Sequence, residues 1–353
     1  MAGPKGQIFE AEVYRYLDEA TEFQVHRLTD PAYTSTLPGP VSRAISRNSG
    51  SLLYCSDRTG SPQAFRLNLK SGDQQQLTDH KDLDGRSLTL LPDGRSFCFL
   101  AGRTIYLCPL SNLRERPVYT VAEGWEPAGG LHVAANGGQL FFVEERSQQD
   151  SAESRLRAVS LAQGAARTVL ETPFRMADPL ERPQHAQILF RQAGGGFWLG
   201  GLMGTNGGQT QLKLAGGGTG PAFWSADGKT LLYLNFPDDF KELNNIREYS
   251  PETRADKQVA KTSQYVAFSP NRDASVFVGA SRNKASPAVL IMLRITRREL
   301  TLCEHRASHP EQVSPLFSPD AQRIYFQSDR HGKSAIYALN VERLVERIDD
   351  EGQ

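Results

Sequence analysis

A unit that repeats along this chain constrains its fold more than any other feature. An apolar strand ends at a Pro/Ser-Asp/Asn-Gly turn, a second apolar strand follows, and a third carries an aromatic-x-Leu signature. The last copy is the cleanest and reads VSPLFSPDAQRIYFQSDRHGKSAIYALNV. In it Phe317, Ile324, Phe326, Ile336, Tyr337 and Leu339 sit in strand interiors, and Ser328 to Gly332 mark a hairpin. With the Asp or Asn of the first turn as marker, copies fall at Asn48, Asp93, Asn136, Asp227, Asn271 and Asp320. The gaps are 45, 43, 91, 44 and 49 residues, one of them about double the rest. A seventh copy with a degraded turn is therefore expected near residues 182 to 217, with Ile188, Leu189 and Phe190, then Phe197, Trp198 and Leu199, as strands. A period in the forties with about four short strands per unit is that of propeller blades; helical solenoids of similar period need amphipathic helices, which the sequence lacks. The expected fold is all-β, a seven-bladed β-propeller spanning residues 1–353 as a single domain.

The N-terminus suggests how the ring closes. Phe23-Gln-Val-His-Arg-Leu-Thr-Asp30 copies the end of the first full blade, Gln74-Gln-Gln-Leu-Thr-Asp79. The last blade, after its third strand near Asn340, runs into Glu342-Arg-Leu-Val-Glu-Arg, which reads as a short polar helix in a C-terminal tail of about 341–353. Residues of about 22–30 are expected to complete that blade as its closing strand and so remove two exposed edges.

Composition narrows the partners. A chain with 39% hydrophobic and 23% charged residues can bury a large core. Forty basic residues balance forty acidic ones, leaving no net field to draw a polyanion or an anionic membrane. No apolar stretch has the character of a secretory leader or the length of a membrane span, so a cytoplasmic protein without nucleic-acid or membrane partners is expected. Cys55, Cys98, Cys108 and Cys303 lie in apolar runs without metal-binding spacing and read as reduced core thiols; Cys98 and Cys108 are candidates to face each other across a hairpin at Gly102-Arg103.

Other motifs have plain structural readings. The glycines at 194–196, 200–201, 207–208 and 216–218 lack a following GKS or GKT and read as tight β turns, not a phosphate cradle. His305 and His309, near Cys303, Glu304 and Glu311, read as a solvated linker between blades because spacing alone fixes neither ligand count nor geometry. Arg294, Arg297 and Arg298 read as an exposed outer strand. Trp198 and Trp224 fit packing between blades, whereas Trp125, between Gly124 and Pro127, reads as loop-borne.

Several stretches together resemble the oligogalacturonate lyases, seven-bladed propellers that split short pectin fragments. They are Tyr16 to Thr29, Leu52-Leu-Tyr, Arg66-Leu-Asn-Leu, Arg155-Leu-Arg-Ala-Val, Arg182-Pro183, Phe223-Trp224 and the final blade, whose SDRHG hairpin also looks like TolB-type repeats. The resemblance implies a β-elimination at a uronate, with a histidine base and manganese to stabilise the charge that develops. Carried over residue by residue, it places Pro221 where the base would stand, before Phe223-Trp224, and Gln312 and Ser314 where two metal-binding histidines of a QxxHxH motif would stand. His309 takes the place of that motif's Gln, and Gln264 that of a further ligand histidine. Asp178 replaces a pocket histidine, a catalytic arginine falls at Gly196, and a long third-blade insertion shrinks to about Arg146–Ser154. Arg182 keeps its residue type.

Proline accepts no proton, and amide or hydroxyl groups are poor substitutes for imidazole around manganese. The expectation is a degenerate relative of the lyases, with no catalytic residue and no bound metal or cofactor. It would bind a small anionic or sugar-like ligand at the central channel through Arg182, Gln264, His309, Gln312 and Ser314. Two alternatives stand beside it: an active uronide lyase with a rearranged site, and a scaffold for a protein partner.

Overall fold

A computed structural model describes residues 5–148, 151–202 and 208–348, and these form seven antiparallel sheets. The innermost strands, in blade order, are Ser35–Thr36, Leu83–Leu90, Glu126–Val133, Met176–Glu181, Gly218–Trp224, Tyr265–Pro270 and Leu316–Phe317. Strand alternation explains why the sheets stack. In Ser51–Ser56, Leu52 and Tyr54 pack toward blade 7 while Leu53 and Cys55 pack toward blade 2. Every neighbouring pair of blades shares such a hydrophobic cluster, and the one formed by Leu52, Tyr54, Phe65, Tyr325 and Ile336 joins blade 7 to blade 1. The sheets therefore form a ring.

The repeating turn has a physical basis. Six of the turns place an Asn or Asp whose Oδ1 accepts the backbone N–H two residues on: Asn48, Asp93, Asn136, Asp227, Asp273 and Asp320. The residue after each is left-handed: Ser49, Gly94, Gly137, Gly228, Ala274 and Ala321. In blade 6 the turn residue is thus Asp273 and not Asn271. In blade 4, Pro183 precedes left-handed Gln184 (φ 60°), so the turn persists without its side-chain acceptor. The seventh repeat lies where the doubled gap places it, with strands Gln187–Gln192 and Phe197–Gly201.

The N-terminal segment spans several blades. Gln24–Arg27 is the fourth strand of blade 7, with Val25 opposite Leu339 and Arg27 opposite Tyr337, and Tyr14–Leu17 adds a fifth. Ile8–Phe9 pairs with the outer strand of blade 1, and Lys5 reaches Glu115 of blade 2 at 2.5 Å. Between these, Thr21 Oγ1 donates to Leu302 O at 2.6 Å and the Glu304 N–H donates to Asp18 Oδ2 at 3.1 Å, tying the segment to blade 6.

Four local expectations are corrected and a fifth, for Trp125, is extended. The stretch after Asn340 makes a hydrogen-bonded turn, with Leu344 and Val345 N–H on Val341 O, because Val341 and Val345 are drawn into the core. Cys98 lies opposite Leu107 and Cys108 opposite Phe97, so the two thiols project to opposite faces of the sheet. Burial pushes the Cys98 thiol up to about 12 and the Cys108 thiol to about 11, as expected of inert core groups. Arg294 and Arg297 belong to the hairpin turn after Ala288–Leu293, and Arg294 pairs with Glu248 at 3.0 Å. His305 is buried and not solvated: Nε2 meets Ser281 O at 2.9 Å and Nδ1 accepts the Ala307 N–H at 3.0 Å. Trp125 is loop-borne but buried, with the Arg155 and Arg146 guanidinium groups 4.0 and 4.6 Å from its ring centroid. The shortened third-blade hairpin joins Gln139–Gln148 to Ser151–Ser160, its tip lying outside the described residues, as does Gly207.

Candidate functional site

The inner strands are where the blades differ most. From blade 2 to blade 6 each carries a β-bulge, such as that between Thr219 and Ala222, and bulges re-aim side chains. Blade 1 takes this furthest. Thr36 pairs with Cys55 and Ile45 with Leu52, so the long stretch between Thr36 and Ile45 faces a much shorter length of partner strand and projects into the channel.

Its sequence, Leu37-Pro-Gly-Pro-Val-Ser-Arg43, suits such an excursion: the prolines need no ladder donor, and a turn closes with the Ser42 N–H on Gly39 O at 2.9 Å. Gly39 donates to Arg86 O of blade 2 at 3.2 Å, and Val41 hydrogen-bonds through its backbone to His132 of blade 3. Pro40 and Val41 go on to enclose a 20 Å³ space with Asp178 and Arg191 of blade 4 and Pro221 of blade 5. The excursion thus covers the side of the channel built by blades 2 to 4. Beneath it, Arg191 donates to Thr219 O and Gly220 O, both at 2.6 Å, and lies 3.4 Å from Asp178. Burial pushes the His132 imidazole down to about 4.

Between the excursion and blades 5 to 7 lies a cavity of about 640 Å³. Pro221 and Phe223 come from blade 5, Ala267 to Pro270 from blade 6, and Glu311, Gln312 and Ser314 to Phe317 from the approach to blade 7. Thr36, Ser42 and Arg86 face them. The three-residue 3₁₀ turn Pro310–Gln312 and the left-handed Ser314 (φ 47°) set the last group in place. Among the described residues two polar features of this wall stand without protein partners, the exposed Arg86 side chain and the buried Ser42 hydroxyl. No carboxylate among the described residues pairs with Arg86, and Ser42 Oγ is buried without a hydrogen bond among the described residues.

The predicted site residues divide. Gln312 and Ser314 line this cavity together, and the excursion carries the wall they face. His309 stands outside it, exposed and 3.3 Å from Glu311, at a neighbouring space of 270 Å³ that shares Gln312 and Gln327. Gln264 is left-handed (φ 59°) just ahead of Tyr265–Pro270; its Oε1 is buried without a described partner, and it is not among the residues that line the cavity. Arg182 is separated from all of these, because it follows its inner strand while the others precede theirs, a distance on the order of 20 Å along six residues of strand. Its guanidinium is committed to Gly228 O at 2.7 Å, Gln187 Oε1 at 2.6 Å and Glu252, with Trp224 at 5.1 Å. Gly196, the place carried over for a catalytic arginine, lies in a hairpin turn, and Arg191 is the arginine that reaches the channel from blade 4. Sequence reading missed Arg86, Ser42 and Arg191. A signal existed for the first two, since Pro38-Gly-Pro40 cannot continue a strand and marks a departure from the repeat.

Fold and site together define a seven-bladed β-propeller with an off-centre cavity in its channel. No protein-family model matches the chain. It is 22% identical to an oligogalacturonide lyase of Pectobacterium atrosepticum over 96% of its own length and 98% of the relative's. A solved oligogalacturonate lyase in complex with manganese superposes with a TM-score of 0.89 at 23% identity, covering 96% of this chain and 98% of that one. The oligogalacturonate lyase structure from Vibrio parahaemolyticus gives 0.87 at 22% identity, with 96% and 99% covered. The chain thus shares the propeller fold of these lyases along nearly its whole length.

The manganese of that relative has no matching donor set here. Among the described residues no three His, Cys, Asp or Glu side chains come together as a metal site; the cavity offers one carboxylate, Glu311, beside the amide of Gln312 and the hydroxyl of Ser314. Manganese favours carboxylate and imidazole donors held in number. The cavity residues do not fit it.

Proposed function

We propose that this propeller binds a small anionic, sugar-like ligand in the cavity against blades 5 to 7 and does not carry out manganese-dependent β-elimination. One observation carries the reading: a cavity of ligand size is lined together by an exposed arginine with no carboxylate partner among the described residues, by Gln312 and Ser314, and by a buried Ser42 hydroxyl without a described hydrogen bond. A carboxylate suits the Arg86 fork, and sugar hydroxyls suit the amide and hydroxyl groups opposite. Elimination needs a proton acceptor beside the carboxylate; Pro221 lies on that wall, and the acid nearest the cavity, Glu311, sits at the rim with its side chain 59% exposed.

Galacturonate and digalacturonate distinguish the outcomes. Each should raise the melting temperature in a saturable way, since a ligand of the folded state alone must stabilise it. No ultraviolet-absorbing unsaturated product should form when manganese is added. Product formation would restore the lyase reading, and an unmoved melting temperature with both sugars would remove the binding reading.

A further inference from the structure

We propose, resting on that reading, that the ligand is an amphipathic acid in which a sugar acid carries an apolar ring, an aryl uronide being the simplest case. The cavity wall carries one cation, Arg86, and already one carboxylate, Glu311, a poor match for the two carboxylates of a pair of uronate rings. Gln327 Oε1 already accepts the Leu37 N–H at 2.6 Å, and Ser269 Oγ donates to Pro315 O at 2.8 Å. What remains is Gln312, Ser314, Thr36, the Ser42 hydroxyl, the Gln327 amide N–H groups, the rim carboxylate Glu311 and Arg86, which is the one cation on this wall and so suits one acid-bearing ring. Each sugar hydroxyl buried without a partner would cost affinity.

The rest of the wall is apolar. Phe223 and Leu316 are half-buried on this wall, backed by Phe268 and Phe317 from the inter-blade cores, and Phe223 meets Phe268 edge-on at 5.4 Å. Five lining residues are prolines, Pro38, Pro40, Pro221, Pro270 and Pro315, and each withdraws a backbone N–H that a hydroxyl could otherwise use. The two characters are also sorted along the chain. Approaching blade 7, Gln312 and Ser314 come first and Pro315, Leu316 and Phe317 follow, so the polar lining lies toward the strand start and the apolar lining farther along it. A volume of 640 Å³ has room for both parts of such a ligand.

Calorimetric titration of the full chain with galacturonate, digalacturonate, phenyl β-glucuronide and phenyl β-glucoside tests this. Phenyl glucuronide should bind about tenfold or more tighter than galacturonate, the gain expected from burying a phenyl ring. Phenyl glucoside, lacking the acid, should bind more weakly than phenyl glucuronide, and Arg86→Gln should erase that difference. Leu316→Ser should reduce the preference for phenyl glucuronide over galacturonate. Galacturonate or digalacturonate binding as tightly as phenyl glucuronide would overturn the amphipathic class while leaving the binding reading intact. Equal binding of the glucoside and the glucuronide would overturn the acid component. Heat from none of the four would remove both proposals.

Discussion

The two sides of the channel differ in what they hold and in what can reach it. Blades 2 to 4 present His132, Asp178 and Arg191, the side whose groups could move or stabilise a proton, and the blade 1 excursion lies over them. Blades 5 to 7 present Pro221, Phe223, Gln312 and Ser314 to an open cavity. The accessible side carries no histidine among its lining residues; its charged groups are Arg86 and the rim acid Glu311. One inner strand that leaves its ladder thus redistributes access to the channel without disturbing the packing between blades.

Several changes would break or sharpen this contrast. Removal of residues 1–30 should strike both sides alike, since it strips the fourth strand from blade 7 and the ties to blades 1, 2 and 6. We expect loss of the cooperative melt or insolubility, and a melt within a few degrees of the full chain would show that the N-terminal strands do not hold the ring. Arg191→Met acts on the covered side only. It leaves Asp178 and the Thr219 and Gly220 carbonyls without their partner, and denaturant unfolding should register a cost of about 3 kcal/mol.

Acid should also weaken the covered side. The His132 pKa is about 4 in the fold, below its ordinary value, so the unfolded chain takes up the proton first. The stability linked to keeping this imidazole neutral is full above about pH 6.5 and is lost as pH falls through 4, about 3 kcal/mol in all. Burial lowers the His305 pKa too and adds to the same slope. His132→Gln should flatten the loss of stability between pH 6.5 and 4, and an unchanged slope would place the titrating group elsewhere. Least of all should Arg86→Gln alter folding. Its side chain has no described ion-pair partner, so the change in stability should stay within about 0.5 kcal/mol while uronate binding falls at least tenfold.

What could be read from the residues alone followed from local rules. Asn48, Asp93, Asn136, Asp227 and Asp320 announce their turns because a short side chain caps the backbone nearby, and spacing then counts the blades. Blade 4 was visible only as a gap, since Pro183 carries no acceptor although Gln184 keeps the left-handed bend. In blade 6 the marker read from spacing, Asn271, falls two residues early, since the Ser275 N–H donates to Asp273 Oδ1. The cavity was legible in part. Gln312 and Ser314 fall in it because they lead directly into an inner strand, but Arg182 sits past the end of its own strand and serves the turn. Arg86 and Ser42 acquire their positions only through the excursion, a long-range departure that no periodicity encodes.

The question of which side of the channel works is settled most directly by titrating galacturonate into the full chain with and without manganese while recording heat. Saturable binding at one site, equal in both conditions, is the predicted result. Heat that appears only when manganese is present would mean that the channel still grips a cation, and would contradict the assignment of the cavity to recognition.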